Sequence, residues 1–389
     1  MILPRLRLDV QFSSHQEDDE RFLVLHDPFG VADGPIMLHA DMIEVLAACD
    51  GVTSTIDLAH SAGVDPNGPE ILRVVAFIGQ LEELGYVEGH IAEERQRTML
   101  QEWSNLPLRP MVCADSTYPR DPVEFGVFCR EQLGLQQQVG VPANPLAGAD
   151  VPPRVALVPH IDFRVAPGIY GEAFATLANS PADLVVMIGT SHYWSDHPVV
   201  VGDKAFETPL GILPVLPHTL GVPEADIAHK PEHSLELHAV VVRYLWPDRD
   251  VAVLPILVTS AILEDGALEI WTDRIREVVE KSGRTPIWLI SGDLSHVGPK
   301  FGDPMPSVDV LPAVEQADRE LLVHLAEGDI LSYRKAIEPL DNAYRVCGHA
   351  PTILAFACAN PVHGQLLTYQ VWNEAETESS VTFASMVWQ

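Results

Sequence analysis

Three apolar runs in this chain stop at side chains able to hold a metal ion. Ala156-Leu157-Val158-Pro159 ends at His160. Leu184 to Gly189 leads through Thr190 and Ser191 to His192. Pro286 to Ile290 leads through Ser291 and Gly292 to Asp293 and His296. Ligands of an open α/β sheet sit at the carboxyl ends of its parallel strands. Imidazole is a ligand for iron, copper and zinc. Taken singly, each histidine is more often a hydrogen-bonded structural residue. Taken together with the Asp-x-x-His at a third strand end, they point to a metal pocket. Asp162, two residues past His160, either orients a ring or caps the next turn.

Cys347-Gly348-His349 precedes an apolar helix. A helix N-terminus favours a thiolate, so Cys347 is a candidate metal ligand or nucleophile. In Glu232-His233-Ser234-Leu235-Glu236 the two glutamates share a helix face at i, i+4, while Glu232 and His233 stand at the helix start. This is not the HExxH zinc motif, because the paired histidines are absent.

The elements that must position these groups are legible from Val155 onward. Strands are expected at 155–160, 184–190, 251–258 and 286–291, with a further apolar run at 198–201 after a loop. Helices are expected near 170–179, 232–246, 267–281, 310–327, 331–338 and 351–359. Two closing strands, 365–372 and 381–388, read as an antiparallel edge hairpin. Repeated strand–helix alternation predicts an α/β fold, a largely parallel sheet flanked by helices. Upstream, a helix over 123–133 and a Pro/Gly/Ala loop over 136–153 are expected.

Residues 1–90 read as a separate small α+β domain. It has a strand pair at 21–27 and 34–38 and helices at 42–49, from 53, and at 70–84. Residues 91–108 read as a linker helix and 109–389 as the α/β domain. A length of 389 residues suits two or three such cores.

Lys+Arg 24 against Asp+Glu 55 gives a net charge of −31. Nucleic acid and anionic membrane surfaces need basic patches, so neither is expected as a partner. Five irregularly spaced cysteines form neither a disulfide framework nor a CxxC zinc motif, which fits a reducing cytoplasm. No signal peptide or membrane-length apolar run is evident, so a cytoplasmic location is expected. Cys49 and Cys358 lie in apolar helices and read as core.

Taken in order, several motifs resemble the Memo family. They are Pro159-His160, Gly189-Thr190-Ser191-His192, Glu207-Thr208-Pro209-Leu210-Gly211, Glu232-His233-Ser234-x-Glu236, Pro255-Ile256-Leu257-Val258, Ser291-Gly292-Asp293-x-x-His296 and Cys347-Gly348-x-x-Pro351. The resemblance covers residues 109–389. It implies a fold similar to class III extradiol dioxygenases and a mononuclear metal site of His160, His192 and Cys347. Iron(II) is the first expectation, with copper or zinc as alternatives. In that reading His296 is the acid/base and Asp293 holds its tautomer, while Asp162, Glu232, His233 and His349 belong to the second shell or pocket. The expected activity is metal-dependent, dioxygenase-like oxidoreductase chemistry on a small molecule or peptide. Two other classes fit the same residues: a non-catalytic binding protein for a peptide or partner, and a metal-dependent hydrolase. Two departures from the family pattern, His160-Ile161-Asp162-Phe163 and His349-Ala350-Pro351, fall at the pocket rim and bear on substrate choice.

The first domain resembles the PqqD-like fold, a small winged helix that binds precursor peptides beside radical-SAM enzymes. The resemblance is carried by Ile43 to Leu46, Cys49-Asp50-Gly51, Ile56 and Phe77-Ile78-x-x-Leu81-x-x-Leu84-Gly85-Tyr86. It implies radical-SAM and AMMECR-like protein partners, as in the AmmeMemoRadiSam system. No stripe of Lys or Arg accompanies this winged helix, so DNA binding is not expected.

Overall fold

The computed structural model describes residues 1–17, 20–135, 152–193 and 195–389. It divides into two compact units, Met1–Leu106 and Pro107–Gln389. Most of the loop expected over 136–153 lies outside the described residues. Among the described residues, no helix is long and apolar enough to cross a membrane.

In the first unit the expected strand pair is present as Glu20–His26 and Ile36–His39, antiparallel, with Phe22 opposite His39. Gln11–Glu17 adds a third antiparallel strand. The helices are Ile43–Ala47, Thr55–Ala62, Pro69–Leu84 and His90–Asn105. Ser54 and Asp57 form a capping box that starts the second of these. Gly85, at φ +85°, ends the third in the left-handed conformation that a side chain would strain. The buried Arg7 guanidinium donates to Gly85 O at 2.6 Å and to Asp27 Oδ2 at 3.2 Å, which pins that turn. The segment read as a linker is anchored on this unit. From the His90–Asn105 helix, Arg95 Nη1 donates to Leu84 O at 2.9 Å and Val31 O at 3.3 Å. Cys49 is buried in the core, and burial pushes its thiol up to about 11, which makes it unreactive.

The second unit is built on an eight-stranded sheet. Its centre is parallel, in the order Val155–Val158, Pro286–Ser291, Leu184–Thr190, Ala252–Val258. Both margins are antiparallel. Val199–Val201 pairs with Ala252–Val258, and Ser379–Trp388 pairs with Val155–Val158. Ser379–Trp388 also pairs with the short His296–Val297 strand and, over its length, with Gln365–Glu374. The sheet is therefore mixed, parallel only where helical crossovers connect its strands. The expected closing hairpin is present, its second strand set against the parallel centre.

Alternate residues of the central strands feed two separate cores. Ala156, Val158, Val185 and Met187 pack with the helices Pro122–Glu131, Pro167–Leu177 and His233–Leu245. Val155, Leu157, Val186 and Ile188 pack with Ala267–Ser282, Leu311–Glu327, Ile330–Ile337 and His349–Ala359. A strand buried on both faces must be apolar at every position, hence the unbroken runs that end on histidine. Cys358 lies in the second core, where burial pushes its thiol up to about 12.

In a smaller sheet Leu108–Arg109 pairs parallel with Ala205–Thr208, which pairs antiparallel with Gly211–Leu213. It brings Arg109 onto the start of the His233–Leu245 helix. Arg109 Nη1 donates to Glu236 Oε2 at 2.5 Å and Nε donates to His229 O at 2.8 Å; Nη2 donates to Glu232 O. Glu236 also accepts from Val112 N, Cys113 N and the Tyr118 hydroxyl. This buried network braces the helix terminus that carries Glu232 and His233.

Candidate metal centre

Two strand ends, one helix start and one pre-helical loop place donors in the same space. His160 follows Val155–Val158, and His192 follows Leu184–Thr190. Glu232 caps the His233–Leu245 helix, its side chain accepting from Ser234 N, so His233 is the first helical residue. Cys347 lies one residue before the cap of His349–Ala359. The ligand atoms of His160, His192 and His233 lie within 4.8 Å of one another, as do those of His160, Asp293 and Cys347. His160 belongs to both sets.

Hydrogen bonds decide which ring nitrogens are free. The Ser291 hydroxyl donates its proton to Ser234 O at 2.6 Å. Toward His160 Nδ1, at 3.0 Å, it can then only accept. His160 therefore carries its proton on Nδ1 and leaves the Nε2 lone pair free. Nε2 lies 3.3 Å from Cys347 Sγ and 3.7 Å from Asp293 Oδ2. His192 Nδ1 donates to Glu232 Oε1 at 2.9 Å, and His192 N donates to the other carboxylate oxygen at 2.9 Å. Its Nε2 is then the outward nitrogen. A ligand imidazole typically gives its second N–H to a carboxylate or other acceptor in this way.

The cysteine is delivered by two loops in backbone contact. Gly348 N donates to Asp293 O at 3.0 Å, and Asp293 N donates to Cys347 Sγ at 3.3 Å. A Cβ on Gly292 would meet Gly348 Cα at 2.4 Å, so a side chain there would force Cys347 away from His160. Thr190 Oγ1 donates to Cys347 O at 2.7 Å and ties the loop to the His192 strand.

The electrostatics centre on one buried carboxylate. Burial favours neutral Glu232, but His192 and His233 outweigh it and hold the group far below the carboxylate range. Burial likewise opposes charge on His192, yet Glu232 and the Cys347 thiol carry the ring well above its usual value. Burial and the His192 charge push His160 far down and His233 down to about 4. Burial lifts Asp293 to about 7. Cys347 is also raised by burial, with His192 opposing. Desolvation is the larger influence on the thiol, and the neighbouring His192 ring is the group that favours its thiolate. Imidazole Nε2 donors beside a thiol are borderline-to-soft ligands, which fit iron(II), copper or zinc and not magnesium.

The Memo-like protein family model matches residues 109–387. The chain belongs to the Memo-like family. It is 29% identical to a MEMO1 family protein of Aquifex aeolicus over 97% of this chain and 98% of that one. It is 26% identical to a MEMO1 family protein of Thermus thermophilus over 79% of this chain and 90% of that one. A MEMO1 family protein of Archaeoglobus fulgidus is 23% identical over 71% of this chain and 97% of its own length.

In this Memo-like protein some expected roles change. His296 Nδ1 lies 3.1 Å from Leu294 O and 3.0 Å from Arg345 O. Carbonyl oxygens only accept, so they fix the proton on Nδ1. Asp293 does not hold that tautomer. Its Oδ1 accepts from His160 N and Ile161 N, and its Oδ2 faces His160. Asp162 takes the turn-capping alternative, accepting from Arg164 N and the Arg164 guanidinium. His349 is buried, 3.9 Å from Glu338 Oε1 with its ring 5.5 Å from that of Tyr333. It lines a cavity of about 490 Å³ together with His192, Cys347, Thr190, Thr259 and Val258.

Sequence reasoning missed Ser291 as the support of His160; His233, expected in the second shell or pocket, has a ring nitrogen within 4.8 Å of the donor atoms of His160 and His192. A serine ending a buried apolar strand was the available signal for the first. For His233 the available signal was its place at the helix start, since helical side chains lean toward the N-terminus.

Proposed function

We propose that this protein is a mononuclear metalloprotein whose ion is held by His160, His192 and Cys347, with iron(II) as the working metal and redox chemistry of dioxygenase type as its activity. One observation carries the reading: Ser291 and Glu232 each fix an Nδ1 proton, so two neighbouring imidazoles present Nε2 toward a common point. Bound iron would supply open coordination positions and a redox change. The chain's own groups do the rest. His296, with Nε2 free, moves a proton at the rim, and burial keeps the ring neutral, its pKa pushed down to about 4. The cavity beside Cys347 receives a small molecule or the end of a peptide.

The first unit is read as a PqqD-like winged helix that binds peptide, with a radical-SAM enzyme and an AMMECR-like protein as partners in the cytoplasm. Titration with duplex DNA is expected to show no salt-sensitive binding. Tight, salt-dependent binding would instead make it a DNA reader.

Purification without air, followed by elemental analysis before and after iron addition, tests the main reading. Stoichiometric iron, and oxygen uptake by the loaded protein, are the expected results. Protein that takes up no stoichiometric metal, yet is folded, would instead be a scaffold for a peptide or partner.

A further inference from the structure

We propose that His233 is itself a metal ligand, completing a three-imidazole face with His160 and His192. The inference rests on the metal-centre reading above. The three donor nitrogens lie within 4.8 Å of one another. The rings of His192 and His233 are stacked at 4.7 Å and 25°. The His160 ring stands across both, 4.8 Å from His192 at 82° and 5.3 Å from His233 at 80°.

The position in the chain explains the direction. Side chains of a helix lean toward its N-terminus. His233, as first helical residue, leans off the end of its helix toward the strand ends. Glu232, the cap, then serves two rings. Its Oε1 lies 2.9 Å from His192 Nδ1 and 3.4 Å from His233 Nδ1. A carboxylate oxygen attracts the N–H of each ring, so on both the lone pair falls to Nε2. One buried carboxylate thus orients two imidazoles in the manner of a metal site's outer shell.

A packing role does not account for this placement. The His233 side chain is 37% exposed, and its ring neighbours are two other imidazoles. The three rings direct lone pairs at a shared space, which a bound cation would fill. Three nitrogens, with the Cys347 sulfur 3.3 Å from His160 Nε2, offer donors suited to copper, zinc or iron(II).

The test counts nitrogens in the full-length protein loaded with Cu²⁺. Pulsed EPR of the wild type is expected to report three coupled imidazoles, and two in His233→Ala. Competition with a chromophoric chelator for Zn²⁺ is expected to show a loss above the ~10–100-fold typical of a supporting residue. Circular dichroism checks the fold of the variant, and the wild-type count stands whether or not the variant folds. Two imidazoles in the wild type, with Zn²⁺ affinity unchanged in His233→Ala, would overturn the assignment of His233 while leaving the metal centre in place. Wild-type protein that binds no stoichiometric metal would instead remove the metal-centre reading, and this inference with it.

Discussion

Replacing Cys347 by serine is expected to abolish stoichiometric iron binding in a protein that remains folded. His192→Ala should do the same, and Asp293→Asn should only weaken binding, by the ~10–100-fold typical of a residue behind the ligands. The Cys347 thiol is 3.3 Å from His160 Nε2 and is contained by backbone contacts from Gly348 and Asp293. It is small and set in a loop, so the fold does not depend on its sulfur. Serine keeps the shape but offers an oxygen that stays protonated near neutral pH, and the soft donor is lost. Bound metal in the three variants, read beside circular dichroism, checks the ranking. If well-folded Cys347→Ser keeps its full metal, sulfur is not a ligand. Asp293, whose carboxylate already lies beside His160, would then take its place and bring the donor set closer to that of His, His, carboxylate dioxygenases.

The second large effect concerns stability. Arg109→Met, leaving Glu236 buried without its cation, should cost on the order of 3–5 kcal/mol. Both side chains are almost fully buried, at 2% and 0% exposure. Burial alone would raise the Glu236 pKa, but Arg109 and the Tyr118 hydroxyl outweigh it, and the net shift is downward. A carboxyl depressed on folding stabilises above its unfolded pKa of ~4.3 and loses that contribution as pH falls through the folded value. The penalty of Arg109→Met should therefore be larger at pH 7 than at pH 4, because the orphaned carboxylate, its pKa raised by burial, takes a proton as pH falls between them. Urea unfolding of both proteins at the two pH values measures it. An equal penalty at both would mean that lost packing of the guanidinium on Phe206, 5.1 Å away, is the larger cause.

Much of the architecture was legible because the strands are buried on both faces. Continuous apolar runs leave no alternation to misread, and their ends are marked by the first polar residues. His160, His192 and Asp293 could be placed at one rim for that reason. The mixed edges of the sheet were harder to read. Whether Ser379–Trp388 runs parallel or antiparallel to Val155–Val158 depends on how the chain returns, which composition does not record. The expected pairing of Asp293 with His296 went astray for a related reason. Asp-x-x-His suggests a pair by its spacing, but the carbonyls of Leu294 and Arg345 reach His296 first.

The sequence by itself determined which chemistry this protein has available: imidazoles at strand ends, one cysteine before a helix, and a net charge of −31. It determined the alternation that builds the sheet, because apolar periodicity is a local property of the chain. Only the tertiary structure decided which donors meet. His233, Ser291 and Cys347 are 58 and 56 residues apart along the chain. Their approach to His160 depends on a helix start, a strand end and a glycine-lined loop packing to within a few ångströms. The direction of a hydrogen bond or a lone pair is set by such packing, and so were the tautomers of His160 and His296. The surroundings of Cys347 were decided the same way: burial raises its thiol pKa and the His192 ring beside it opposes the shift, and neither is legible in its local sequence.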